Sequence, residues 1–181
     1  MPIKLINKST LVLMSLILMM SLAGCASMGA GKYAATQKVL PAIDQSSAIF
    51  EIAVAPNVSY QDVVDSLKTI SEGKNFVNPA NFPIGENMRK RGQDPGGILE
   101  VHALCNLGLG AEIMLDHPEF VVFAPCRIGL YEKKGQLYLG LDRPTYDLRS
   151  IKNPTERAKK AAQELENTLI EIMTKASRGD I

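Results

Sequence analysis

Cys105, Cys126, Arg127 and His102 are the residues through which the body of this chain could do chemistry. Alternation along strands of period two places Cys105 with Val101 and Ala103, and Cys126 with Val122, Ile128 and Leu130. Both thiols are therefore predicted on the apolar side of a sheet, unless Pro125 introduces a bulge. Three readings stay open for the pair: two packed thiols, a disulfide, or a redox or ligand-binding thiol. Cys126 is the better reactive candidate, because the neighbouring Arg127 would favour thiolate. His102 with Cys105 suggests a chelate, but residues three apart on a strand face opposite ways, so a bulge at Leu104 would be required. The chain has no second Cys-x-x-Cys, no His-x-x-x-His and no Cys-x-x-Cys-His, so no metal or other cofactor is expected. His117 is expected to cap a short helix as a cation. Glu112 and Asp116, four apart, read as a solvated helix face. No Gly-x-Ser-x-Gly elbow is present, so no catalytic residue is assigned and an enzyme is the weaker expectation.

Cys25 has a different chemistry. Lys4 and Lys8 precede a twelve-residue apolar run at 11–22, too short for a comfortable membrane span. Leu22-Ala23-Gly24-Cys25 then matches the cleavage box of bacterial lipoproteins. Residues 1–24 are thus predicted to be a signal peptide, and Cys25 the site that receives acyl chains such as palmitate. Stable anchoring needs more than one chain, and bacterial lipoproteins carry several. Resemblance to enterobacterial lipoproteins, in which an aspartate at the next position means inner-membrane retention, makes Ala26 point to the outer membrane, facing the periplasm.

Removing the leader leaves 18 basic and 19 acidic residues, a net charge of −1. That balance argues against nucleic acid as a partner, since phosphate binding relies on an excess of Lys and Arg. With 46% apolar residues the chain can build a core without metal or disulfide.

These side chains must be positioned by a small set of elements. Residues 25–46 are rich in small and polar types and read as a flexible tether; residues 47–178 read as one domain. Residues 48–55 alternate, with Phe50, Ile52 and Val54 on one face. Ser59 and Asp62 form a capping box for a helix that ends near Gly73. Residues 74–97, with Pro79, Pro83 and Pro95, read as a long loop carrying a basic cluster at 88–91, pinned by Phe76, Phe82 and Ile84. A strand at 99–105 follows, then a short helix stopped by Pro118. An apolar strand at 120–131, a polar turn at 133–135 and a strand at 137–141 complete the sheet. Asn153-Pro154-Thr155-Glu156 opens a long helix whose stripe of Ala158, Ala161, Ala162, Leu165, Leu169, Ile172 and Met173 faces the sheet or a second subunit.

The middle of the chain resembles the domain of unknown function 302 family over residues 48–142. The resemblance is carried by Cys105-Asn106-Leu107-Gly108, Asp116-His117-Pro118-Glu119, Ala124-Pro125-Cys126-Arg127-Ile128 and the run from Leu130 to Leu139. Leu107 stands where the family usually has proline. The resemblance implies a small α+β domain and a homodimer, with no agreed activity to carry over. The expected architecture is α+β, a mixed or antiparallel sheet of about four to five strands packed by two main helices. The expected role is an outer-membrane lipoprotein acting as a binding or accessory module for a small-molecule or protein partner. The alternative is a thiol-dependent redox or sulfur-handling protein using Cys126 with Cys105.

Overall fold

The computed structural model describes residues 40–181. The predicted signal peptide, Cys25 and the tether as far as residue 39 lie outside the described residues. The domain is a five-stranded, wholly antiparallel sheet in the order β1-β5-β4-β3-β2, an α+β fold. Its strands are β1 (Ile49–Ala53), β2 (Val77–Phe82), β3 (Leu99–Cys105), β4 (Cys126–Lys133) and β5 (Gln136–Asp142). The helices are α1 (Tyr60–Gly73), α2 (Ile84–Arg89), α3 (Leu107–Met114), α4 (Pro144–Asp147) and α5 (Glu156–Ala176).

Helices α1, α5 and α3 cover one face of the sheet. Phe50, Ile128, Leu130, Leu139 and Leu141 point into that layer and are buried with Val63, Leu67 and Ile70 of α1. The predicted α5 stripe is buried to its last member, from Ala158 to Ala176. The alanines let α5 lie close to its neighbours, and this layer accounts for the fold's apolar burial. The capping box of α1 forms as expected, Ser59 and Asp62 satisfying each other's backbone N–H. The turn from β4 to β5 places Lys134 and Gly135 at φ +51° and +77°, the twist a two-residue hairpin requires.

Several expectations are corrected. Residues 40–46 are docked, not free: Leu40 and Ile43 pack on the core, and the carbonyls of Asp44 and Ser47 accept from Arg143. Residues 74–97 contain a strand and a helix in place of a long loop. β2 was hidden by Pro79, which an edge strand tolerates because one side of it needs no partner; the register slips by a residue between Val77 and Ala80. Phe76 alone of the three expected pins is buried, whereas Phe82 and Ile84 are exposed. The apolar run at 120–131 is two elements, a 3-10 helix over Pro118–Phe123 and then β4. Within the run that opens α5, the cap is Thr155, its Oγ1 accepting from the Ala158 N–H at 3.2 Å.

Candidate functional site

The four candidates from sequence divide between the two faces of the sheet. β3 and β4 pair in unbroken register, with Leu104 opposite Cys126, Ala103 opposite Arg127 and His102 opposite Ile128. Cys126, His102 and Leu104 therefore share the helix-covered face. Cys105, Ala103, Val101 and Leu99 share the open face with Arg127. Cys105 was expected on the helix-covered side with Cys126, and it is on the other. The two thiols are free and half-buried.

Arg127 does not favour a Cys126 thiolate. Its guanidinium lies across the open face on the Asp142 carboxylate. Burial pushes the Cys126 thiol up to about 12, with further contributions from Cys105, Asp142 and Asp147. Burial also raises the Cys105 thiol. Asp147 on α4 completes this corner, its carboxyl pushed up to about 6 by burial and by Asp142 beside it.

His117 caps in a different sense from the expected one. Its Nε2 accepts the backbone N–H of Thr155 at 3.0 Å, so that nitrogen is unprotonated and the ring fastens the start of α5. Thr155 Oγ1 donates to Asp116 at 2.7 Å, and Arg157 reaches the same carboxylate, so Asp116 belongs to this clasp and not to a catalytic pair.

The open face has two parts. Its centre is a glycine pair, Gly129 opposite Gly140, on which the Tyr131 ring lies. A Cβ on Gly140 would stand 3.0 Å from that ring. Tyr131 stacks on Tyr138 with centroids 6.1 Å apart and donates its hydroxyl to Glu51, which Lys133 also reaches at 2.7 Å. Hydrogen bonding from Lys133 and Tyr131 holds the Glu51 carboxyl below its ordinary value. The two edges are apolar: Ile49 on β1 is 59% exposed, and Val77 and Phe82 on β2 are 51% and 52% exposed. Apart from α2, whose Gly85 packs on Leu99 at one end, no element among the described residues covers this face.

A second feature lies on the helix-covered side and was missed from sequence. His102 Nε2 is 2.8 Å from Glu100 Oε1, and the Tyr60 hydroxyl at the start of α1 donates to Glu100 Oε2 at 3.1 Å. Glu100 lies at the wall of a cavity of about 280 Å³ bounded also by Tyr60, Pro83, Glu86, Arg89, Ile98 and Leu99. Period-two alternation marked Glu100 and His102 as solvent-facing, so nothing in the sequence pointed to their pairing with a tyrosine 40 residues earlier. Among the described residues no three His, Cys, Asp or Glu side chains are grouped to hold a metal ion, and no helix is long and apolar enough to cross a membrane.

The fold is shared with a crystal structure described as an uncharacterized conserved protein DUF302 from Bacillus stearothermophilus. The similarity has a TM-score of 0.65 at 17% identity and covers 71% of this chain and 98% of that one. An uncharacterized protein of Aquifex aeolicus is 35% identical over 77 residues, which is 42% of this chain and 47% of that relative's length. The family model for the domain of unknown function DUF302 matches residues 51–176, from within β1 to the end of α5. By that match, the chain belongs to the DUF302 family.

Proposed function

We propose that this protein is a non-catalytic binding or accessory module, held at the periplasmic side of the outer membrane by acyl chains on Cys25. In this reading it works as a homodimer joined through the open face of the sheet. The observation that carries the reading is the uncovered face, with Ile49, Val77 and Phe82 exposed at its edges around a centre of aromatic and charged side chains. The dimer expected from sequence used the stripe of α5, but that stripe is buried within the protomer and has no area left to offer. Pro79 and the register slip disfavour strand-to-strand addition at the β2 edge, which leaves face-to-face packing. An apolar rim around Tyr131 and Tyr138 suits a partner presenting the same surface through a two-fold axis.

The test is light scattering on the chain from Ala26 onward. A dimer is expected, converted to monomer by Phe82→Lys, which places charge in the contact. A parent that is monomeric at about tens of micromolar overturns the dimer. Anchoring is tested apart from this: Cys25→Ala should leave an unprocessed precursor, and unchanged outer-membrane fractionation would sink that assignment. Against the thiol reading stands the Cys126 thiol itself, which at about 12 is protonated at any physiological pH and so lacks the nucleophilic form.

A further inference from the structure

We infer that the cavity beside Glu100 is a binding site for a primary alkylammonium compound, a small molecule with one R–NH3+ group on an aliphatic body. This goes beyond the dimer reading and does not rest on it, because the cavity is lined by none of Ile49, Val77, Phe82, Tyr131 and Tyr138, on which that reading stands.

Glu100 is the reason. Its side chain is only 16% exposed. Its two oxygens receive hydrogen bonds from His102 and Tyr60, and among the described residues no Lys or Arg lies within ion-pair distance of it. A carboxylate withdrawn this far from water ordinarily has a permanently cationic partner, and here the one described residue ion-paired with it, His102, carries charge only when protonated. The Tyr60 phenol is raised first by burial and then by Glu100, as a phenol donating to an ionised carboxylate should be. The two donors fix the carboxylate's orientation and leave each oxygen a further lone pair.

The cavity gives the rest of the ligand's description. Beyond Glu100 its walls are Pro83, Ile98 and the Tyr60 ring, which suit a short hydrocarbon chain. The remaining charges are largely occupied. Glu86 is paired with Lys90 at 2.7 Å, and Arg89 donates to the Gly97 carbonyl at 3.3 Å. A carboxylate ligand would meet Glu100 as a like charge. A quaternary ammonium would bring charge but no N–H to donate. A primary ammonium supplies both, and a charge-assisted bond to carboxylate is the strong kind.

The chain contains two histidines, which makes the test internally controlled. His102 touches Glu100, while His117 lies in the clasp at the start of α5. Imidazole NMR signals of the full chain in neutral detergent would be followed during titration with n-butylammonium chloride. The His102 signal should move and saturate with a Kd of about 1 mM or tighter, while His117 stays still. Sodium butyrate and tetramethylammonium chloride should leave both signals in place. Glu100→Gln should weaken n-butylammonium binding at least about tenfold, with an unmoved His117 signal reporting an intact fold. Tyr60→Phe, which removes a donor but no charge, should retain binding. Should Glu100→Gln fail to fold, the three-ligand series on the unaltered chain still decides. The inference is overturned if n-butylammonium leaves His102 unmoved, if both histidines shift together, or if butyrate binds as well.

Discussion

Arg143 is the largest fully buried side chain in the domain, and its removal from its partner is the most informative perturbation of the fold. Its guanidinium makes six hydrogen bonds. Two go to Glu166 Oε1 at 3.0 and 2.9 Å, and two to the carbonyls of Asp44 and Ser47 at 2.8 and 2.7 Å. The last two go to Gln45 and Thr145 at 3.2 and 3.3 Å. Glu166 is also buried, and its other oxygen accepts from the Thr145 N–H at 3.0 Å. Glu166→Ala leaves a buried guanidinium without its counter-charge, which costs about 3–5 kcal/mol. For a domain of this size that corresponds to a fall in Tm of about 6–20 °C. Urea unfolding should show a lower midpoint at unchanged slope, the mark of lost stability without a changed unfolded state.

The double variant sharpens the test. Arg143→Met with Glu166→Leu removes both charges, so the uncompensated ion disappears. The carbonyls of Asp44 and Ser47 then lose their donor; Asp44 is exposed and its carbonyl regains water, so one such cost of about 1–3 kcal/mol remains, at Ser47. The double variant should therefore lie between Glu166→Ala and the parent, and residues 40–47 should become the first site of proteolytic cleavage. A Glu166→Ala loss under about 1 kcal/mol, or a double variant less stable than the single one, would refute the reasoning.

Three further outcomes are expected. Because the Asp147 carboxyl is raised to about 6 from an ordinary 3.8, its proton stabilises the fold below pH 3.8, and that contribution is lost as pH rises through 6. Asp147→Asn should thus gain about 1–2 kcal/mol at pH 7, allowing for its partial exposure, and close to nothing at pH 3; an equal gain at both, read by urea melts, would count against it. Native Cys126 should alkylate only slowly up to pH 10, since burial holds its thiol near 12; a labelling midpoint below about 8.5 that Cys126→Ser removes would restore the thiol reading. Gly140→Ala should cost about 1–3 kcal/mol and displace the Tyr131 ring from Glu51, because the new Cβ would sit 3.0 Å from that ring; an unchanged Tyr131 environment by NMR would contradict the packing.

What could be read from the chain alone follows a physical line. Caps and periodic apolar faces are local, so α1, the α5 stripe and the β4–β5 hairpin were legible from Ser59, Ala158 and Gly135 with their neighbours. Edges and long-range polar partners are not local. Pro79 and Pro83 argue against a strand unless one knows that β2 has a neighbour on one side only. Arg143 carries no mark in sequence of the carbonyls nearly a hundred positions earlier that it satisfies. The apolar run at 120–131 was too uniform for periodicity to divide, and Pro118 began a second helical element inside it.

The error on β3 has a cause that bears on function. Placing apolar residues inside chooses Leu99, Val101, Ala103 and Cys105 for the core over Glu100, His102 and Leu104. The fold does the reverse. The register puts Glu100 and His102 beneath the helices, where they hydrogen-bond to each other, and turns the more apolar set toward the uncovered face. Both placements break the same rule on one strand, in opposite directions. Each has a cost in an isolated protomer: the buried carboxylate loses hydration, and of the outward apolar set Val101 and Cys105 stay only half-buried while Ala103 is fully covered by its neighbours. Both costs fall when something binds, a cation at Glu100 on one side and a second apolar surface on the other. Local departures from the patterning that specifies a fold tend to coincide with sites of use. β3 is therefore where the two proposed contacts of this domain meet.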